Sequence, residues 1–84
     1  MKITSIDIID VANDFQSATS KWRPVVVRIN TDEGISGYGE VGLAYGVGAS
    51  GGFGVARDLA GILLGMDPMR SEAIWEKMLR KTFW

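Results

Sequence analysis

Residues 23–40 read RPVVVRINTDEGISGYGE and decide the fold of this chain. Pro24 to Thr31 is rich in β-branched residues and predicts a strand, and Ile35 to Val41 predicts the strand that returns beside it. Asp32-Glu33-Gly34 is a short turn between them, in which glycine can adopt a positive φ. The stretch therefore predicts a β-hairpin.

Side chains alternate along the hairpin, so each strand has two faces. The inward set is expected to be Val25, Val27, Ile29, Ile35 and Val41. The outward set is expected to be Val26, Arg28, Asn30, Ser36, Tyr38 and Glu40. Lys2 to Val11 predicts a further strand, in which Ile6 and Ile8 share one face and Ile9 the other. That slip in the alternation indicates a β-bulge or a strand covered on both sides.

Residues 42–54 read GLAYGVGASGGFG and contain too many glycines to predict a packing element. We interpret them as a loop carried by the hairpin. Gly46 to Gly51 matches the G-x-G-x-x-G pattern of dinucleotide sites. The strand before it belongs to an antiparallel hairpin, however, and no parallel βαβ partner follows. A mobile surface loop is the favoured interpretation, and a nucleotide site is the alternative.

The remaining residues predict two helices. Val55, Leu59, Ile62 and Leu63 follow a helical period over about three turns. Gly65 is positioned to end that helix, and Ser71 to cap the next one. The apolar stripe of the second helix is Ile74, Trp75, Met78 and Leu79, and we interpret Trp75 as a core or interface residue. The order β-β-β-α-α predicts an α+β fold class: a three-stranded antiparallel meander followed by two or more helices packed on one face, in one domain over residues 1–84.

The composition excludes several classes of site and partner. Without Cys or His, the chain has no disulfide, no thiolate or imidazole metal ligand and no histidine base. The net charge of −1 argues against a nucleic-acid or anionic membrane surface. No apolar run approaches the roughly 20 residues of a membrane span, and Asp7 and Asp10 interrupt a signal-peptide core. We expect a cytoplasmic protein. The apolar end, Phe83-Trp84, is unusual for a terminus and indicates a longer parent chain, with packing of both side chains back onto the domain as the alternative.

Side chains that carry chemistry are sparse. The carboxylates lack the spacing of an oxygen-ligand metal site, and Ser50 has no neighbouring base to activate it. We therefore expect no catalytic and no metal-binding residue in this chain. Three aromatic residues in or beside the predicted loops are candidate substrate-binding residues, with packing onto the sheet as the alternative: Phe15, Trp22 and Tyr45.

Four segments carry a family resemblance. They are Met1-Lys2-Ile3-Thr4, the hairpin VVVRINTDEGISGYGE, LAGILLGMDP at residues 59–68 and EAIWEKMLRKTFW at residues 72–84. Together they resemble the N-terminal capping domain of the enolase superfamily, in the branch of mandelate racemase and muconate-lactonizing enzyme. The resemblance extends over nearly all 84 residues.

That resemblance implies a function. Members carry this α+β cap, followed by a C-terminal TIM-barrel domain that is absent here. The barrel binds Mg²⁺ through carboxylates and holds the bases that abstract a proton α to a carboxylate. The cap contributes two loops over the barrel mouth, here residues 13–22 with Phe15 and the glycine-rich loop with Tyr45. Ala44-Tyr45 is similar to the Ala-Tyr of mandelate racemase at the matching position.

The resemblance also implies partners: the chain's own barrel domain, a small carboxylate or sugar-acid substrate, and further copies of the protein in a homo-oligomer. An acid-sugar dehydratase is the leading expectation. A racemase, epimerase or cycloisomerase of the same superfamily is the alternative. A free-standing glycine-loop ligand-binding module and an interaction module are alternatives from other classes.

Overall fold

A computed structural model describes residues 1–11, 24–42 and 48–82 of the chain. Its strands are β1 (Ile3–Asp10), β2 (Val25–Thr31) and β3 (Ser36–Glu40). They form one antiparallel sheet in the order β1-β2-β3. Two helices follow, α1 (Gly48–Leu63) and α2 (Ser71–Thr82). The predicted α+β fold class and antiparallel meander are therefore confirmed.

The predicted turn joins β2 to β3. Gly34 has a φ of +77°, and its N–H donates to the carbonyl of Thr31 over 3.4 Å. The hydroxyl of Thr31 donates to the carbonyl of Ile35 over 2.7 Å. A positive φ favours glycine because a Cβ would be strained there. The hairpin signal in the sequence was therefore sufficient to locate the turn.

Cross-strand pairing sorts the side chains of the sheet into two faces. Ile8 pairs with Val27, and Val27 pairs with Gly39, on the face that we call the inner face because α1 packs over it. The next row, Asp7 with Arg28 and Tyr38, lies on the outer face. The register of β1 shifts between Ile3 and Ser5. The predicted bulge is therefore present, but closer to the N-terminus than Ile8.

The helices lie beside each other on the inner side of the sheet. α1 packs on β1 and β2, and α2 packs against α1. Ser71 is the first residue of α2 rather than its cap, which corrects the prediction. The N–H of Ile74 donates to the carbonyl of Arg70 over 3.1 Å, so Arg70 holds the capping position. No helix within the described residues has the length and apolar character that a membrane crossing requires.

The end of α1 is tied to the start of β1. Gly65 has a φ of +86°, as expected for a glycine that ends a helix. Its N–H donates to the carbonyl of Ile3 over 2.8 Å, and the N–H of Ile3 donates to the carbonyl of Met66 over 2.8 Å. The side chain of Ile3 is 2% exposed. The predicted helix stop is confirmed, and it also anchors the first strand.

The glycine-rich stretch is partly helical, which corrects the prediction of a loop over residues 42–54. α1 begins at Gly48 and includes the whole of residues 48–54. Ala49 is buried against Val25, and Phe53 packs against the same cluster. Burial of these two side chains offsets the low helix propensity of glycine, about 1 kcal/mol per residue relative to alanine. The glycine content did not predict this part of the helix, because contacts of Ala49 and Phe53 with the sheet stabilise it.

Four apolar residues predicted to lie inward or on an apolar helix stripe are exposed instead, and one of them is Leu79, which is 53% exposed. Ile35 and Val55 are each 57% exposed, and Trp75 is 62% exposed. Ile35 lies just before β3, an edge strand, and α1 covers the other two strands. Trp75 lies on α2, which has no buried residue. Trp75 is therefore not a core residue of the described chain.

Candidate functional site

The three candidate substrate-binding residues, Phe15, Trp22 and Tyr45, lie outside the described residues. The structure describes the points at which their segments attach to the fold. Residues 12–23 connect β1 to β2, and residues 43–47 lie between β3 and α1.

Both segments attach at the same end of the sheet. The N–H of Val11 donates to the carbonyl of Pro24 over 3.2 Å and closes the base of the first segment. The N–H of Val41 donates to the carbonyl of Val25 over 2.9 Å, just before the second segment begins. Pro24 and Val25 are adjacent, so the two segments share one support. We call this end of the sheet the loop end.

A small apolar cluster packs the loop end against α1. Val25 is 0% exposed and Ala49 is 2% exposed, and the two side chains pack together. Ile8, Val41 and Phe53 are half-buried around them. The cluster joins the sheet to the first helix at this end. It includes residues of β1 and β2, the residue after β3 and the start of α1. It therefore fixes three of the four points where the chain enters or leaves the two segments.

Two carboxylates lie at the loop end but on opposite faces of the sheet. Asp10 pairs with Val25, and Glu40 pairs with Val26. Because Val25 and Val26 are neighbours in one strand, their side chains and those of their partners point to opposite faces. The two carboxylates therefore do not converge on one site.

Magnesium is the metal that the family resemblance implies, and the described residues do not fit it. Across residues 1–11, 24–42 and 48–82, no three Asp, Glu, His or Cys side chains form a group that could hold a metal ion. Mg²⁺ in proteins is held by carboxylates and other oxygen ligands in octahedral geometry. No chemical step through a metal is assigned to these residues.

A groove of about 380 Å³ runs between β1 and α1. Its lining is Thr4, Ser5, Ile6, Ile8, Phe53, Arg57, Ala60, Gly61 and Leu64. Arg57 is the charged residue of this lining, and its guanidinium carbon lies 5.7 Å from the centroid of the Phe53 ring. The lining contains neither a carboxylate nor a lysine that could act as a base. The groove has no catalytic constellation of its own.

The dinucleotide alternative gains no support from the geometry. Gly48 to Gly51 form the first turn of α1, whereas Gly46 lies outside the described residues. The acidic residue at the spacing of a ribose ligand is Asp67, in the connection between the helices. Its Oδ1 accepts the N–H of Met69 over 2.9 Å. Asp67 therefore stabilises a turn and does not end a strand, as a Rossmann acid would.

The opposite end of the sheet carries an ion pair that is remote from both segments. The amino group of Met1 lies 3.2 Å from Oε2 of Glu33, in the β2–β3 turn. The hydrogen bond and the negative charge of Glu33 raise the pKa of this amino group above its ordinary value of 8.0. The N–H of Lys2 also donates to Oδ1 of Asp32 over 2.9 Å. These contacts hold the N-terminus on the turn and are structural.

Asn30 connects all three strands on the outer face. Its Nδ2 donates to Oγ of Ser5 and to Oδ2 of Asp7, each over 3.0 Å. Its Oδ1 accepts the hydroxyl of Ser36 over 2.9 Å. The sequence placed Asn30 outward on the middle strand but did not identify this network. The sequence signal for this network is that Ser5 and Ser36, the residues that pair with Asn30 on the two neighbouring strands, are both polar.

Comparison with known proteins identifies the fold and its relatives. Residues 8–84 match the family described as Mandelate racemase / muconate lactonizing enzyme, N-terminal domain. The chain belongs to this family. The solved structure of a member of the enolase superfamily from Salmonella Typhimurium is 73% identical to this N-terminal domain, with a TM-score of 0.83. It aligns with 99% of this chain and 19% of that chain.

Curated relatives of this N-terminal domain include enzymes. The D-galactonate dehydratases of Xanthomonas campestris pv. campestris (strain B100) and Xanthomonas oryzae pv. oryzae (strain PXO99A) are each 36% identical to it over 70 residues. Each alignment covers 80% of this chain and 16% of the relative. The chain therefore spans about a sixth of the length of these relatives. The predicted family is confirmed, whereas the roles of Phe15, Trp22 and Tyr45 stay predictions.

Proposed function

We propose that this chain is the capping domain of a larger Mg²⁺-dependent enzyme that dehydrates a sugar acid. Membership of the mandelate racemase / muconate lactonizing enzyme N-terminal domain family over residues 8–84 supports the proposal. The similarity to D-galactonate dehydratases supports the choice of reaction. The metal ligands and the bases are assigned to a C-terminal barrel domain outside these 84 residues, since the described residues hold no metal group.

The observation that carries the capping role is the shared support of the two segments at the loop end. Val25 accepts the hydrogen bond from Val41 and, beside it, Pro24 accepts the one from Val11. A sheet that supports two adjacent segments at one end suits a part that covers an active site and excludes water from it. In this proposal Phe15, Trp22 and Tyr45 contact the substrate.

The proposed surface for the barrel domain is the exposed apolar side of the helices. Trp75 and Leu79 lie one turn apart on α2 and are 62% and 53% exposed. A groove of about 470 Å³ lies between α1 and the end of α2, and includes Leu59 and Ile62 in its lining. Adjacent exposed apolar residues of this size are typical of an interface.

A homo-oligomer is proposed as well, and sedimentation of the full-length protein tests it.

The proposed reaction starts with removal of the proton on C2 of the sugar acid, next to the carboxylate. The hydroxyl on C3 then leaves with a proton as water, and the resulting enol becomes a 2-keto-3-deoxy acid. The net change is the loss of one water molecule. A racemase or epimerase removes the same proton and returns one to C2, without losing water.

The experiment is an assay of the full-length protein against a panel of sugar acids that includes D-galactonate, in D₂O, with Mg²⁺ or with excess chelator. We expect a 2-keto-3-deoxy product only with Mg²⁺. Deuterium incorporation at C2 without loss of water would replace the dehydratase with a racemase or epimerase. Absence of both changes for every acid, in a protein shown to bind Mg²⁺, would contradict the proposed chemistry.

A further inference from the structure

The first two turns of α1 have an unusually low intrinsic preference for helix. Residues 48–54 read GASGGFG, so four of these seven residues are glycines. Glycine is the poorest helix former apart from proline, because it loses the most backbone entropy when it is ordered. In contrast, residues 55–63 read VARDLAGIL and contain one glycine.

Packing accounts for one of these glycines and not for two others. A Cβ added to Gly52 would lie 3.0 Å from Cγ1 of Val41, so the close approach of α1 to the end of the sheet favours glycine there. A Cβ added to Gly51 or Gly54 would meet no atom within 4 Å. Alanine would fit at both of these positions and would favour the helix.

The two halves of α1 are also held differently. The last turn includes Leu63, which is 6% exposed, and is followed by the hydrogen bond of 2.8 Å from Gly65 to Ile3. The first two turns contact the sheet through Ala49 and Phe53. The first half therefore combines poor intrinsic helix propensity with two apolar anchors, Ala49 and Phe53. Local stability varies along a structure, and an element of low intrinsic propensity can open while the rest stays folded.

We propose that the first two turns of α1 form a helix–coil switch. Residues 48–54 unwind and refold while residues 55–63 stay on the sheet. Each residue that leaves the helix changes its rise from about 1.5 Å to at most about 3.3 Å. Seven residues therefore lengthen the connection between β3 and α1 by up to about 13 Å.

The switch is inferred from α1 itself and does not depend on the proposed function. The experiment therefore measures the helix and not the activity of the enzyme.

The measurement is hydrogen exchange of individual amides in the full-length protein, with each rate divided by its intrinsic rate. We expect the amides of residues 53–56 to exchange at least about tenfold faster than those of residues 60–63. Gly51→Ala and Gly54→Ala are each expected to slow residues 53–56 by about fivefold, which is equivalent to about 1 kcal/mol. Residues 60–63 should not change.

Two matched variants distinguish the switch from a general effect of replacing glycine. Gly61→Ala has the same open space for a Cβ and should leave residues 53–56 unchanged. Gly52→Ala should slow these residues less than Gly51→Ala does, because its methyl group meets Val41. Equal exchange along the whole of α1 would overturn the proposal. Faster exchange in Gly51→Ala would also overturn it, because the glycine would then be required by packing.

Discussion

Ala49 packs against Val25, and the side chains of these two residues are 2% and 0% exposed. Ala49 lies in the first turn of α1, and Val25 is the first residue of β2. Their contact therefore packs the first turn of α1 against the sheet at the loop end, where residues 12–23 and 43–47 attach to the fold. In a domain with few buried residues, such a contact contributes a large share of the local stability.

Val25→Ala should lower the free energy of unfolding by about 2 kcal/mol, because it removes two methyl groups from a fully buried position. Val55→Ala removes the same atoms from a side chain that is 57% exposed, and should change stability by less than about 0.5 kcal/mol. Urea unfolding of the two variants and the parent measures the difference. Equal losses would show that the cluster at the loop end is not the core that we describe.

Gly65 and Gly61 make a second matched pair. A Cβ meets no atom within 4 Å at either position, but only Gly65 has a positive φ, +86°. Gly65→Ala should cost about 1 kcal/mol through backbone strain. Gly61→Ala should be neutral or stabilise by up to about 1 kcal/mol, because alanine favours the helix interior. Thermal unfolding of the two variants measures the direction of each stability change. A loss of stability in Gly61→Ala would contradict this account.

The sequence was sufficient for those parts of the fold that depend on local signals. Alternation from Val25 to Ile29 gave the faces of β2, and Gly34 and Gly65 gave the turn and the helix stop. Each of these signals reflects a backbone conformation or a periodicity that neighbouring residues determine on their own.

The start of α1 could not be predicted in the same way. Residues 48–54 are poor helix formers, and the contacts of Ala49 and Phe53 with the sheet stabilise them only after the fold has formed. The exposure of Ile35 and Trp75 was missed for a related reason. Periodicity identifies an apolar stripe, but whether something covers that stripe depends on the rest of the protein. The candidate binding residues came from the family resemblance and from aromatic residues in predicted loops.

The ion pair between Met1 and Glu33 should make stability depend on pH in a chain that begins with a free amino group at Met1. The raised pKa of this amino group means that its contribution is fully present below pH 8.0 and is lost as the pH rises through the folded-state pKa. Glu33→Gln removes the partner charge. Parent and variant should therefore differ in stability near neutral pH and converge at higher pH. If the difference in the free energy of unfolding between parent and variant, measured by urea unfolding, stays constant up to about pH 10, the ion pair does not contribute as described.

The exposed stripe on α2 tests the proposed surface for the barrel domain. Leu79 is 53% exposed in this chain, so Leu79→Ala should have little effect unless another part of the full-length protein covers it. We expect the variant to destabilise the full-length protein by about 2 kcal/mol, as for a buried leucine. Glu76→Ala is the control on the same helix, since its pairing with Arg80 over 3.8 Å is exposed and weak. Equal and small effects of Leu79→Ala and Glu76→Ala on the stability of the full-length protein would show that the apolar stripe of α2 is exposed to solvent there.

The most direct test of the capping role is the effect of Tyr45→Ala on the full-length enzyme. The measurement is kcat/KM for several sugar acids, together with the Kd for Mg²⁺. If the chain is a cap that contacts substrate, the substitution should change the ratio of kcat/KM between acids and leave the Mg²⁺ affinity nearly unchanged. An equal loss of kcat/KM for every acid, together with weakened Mg²⁺ binding, would contradict the account.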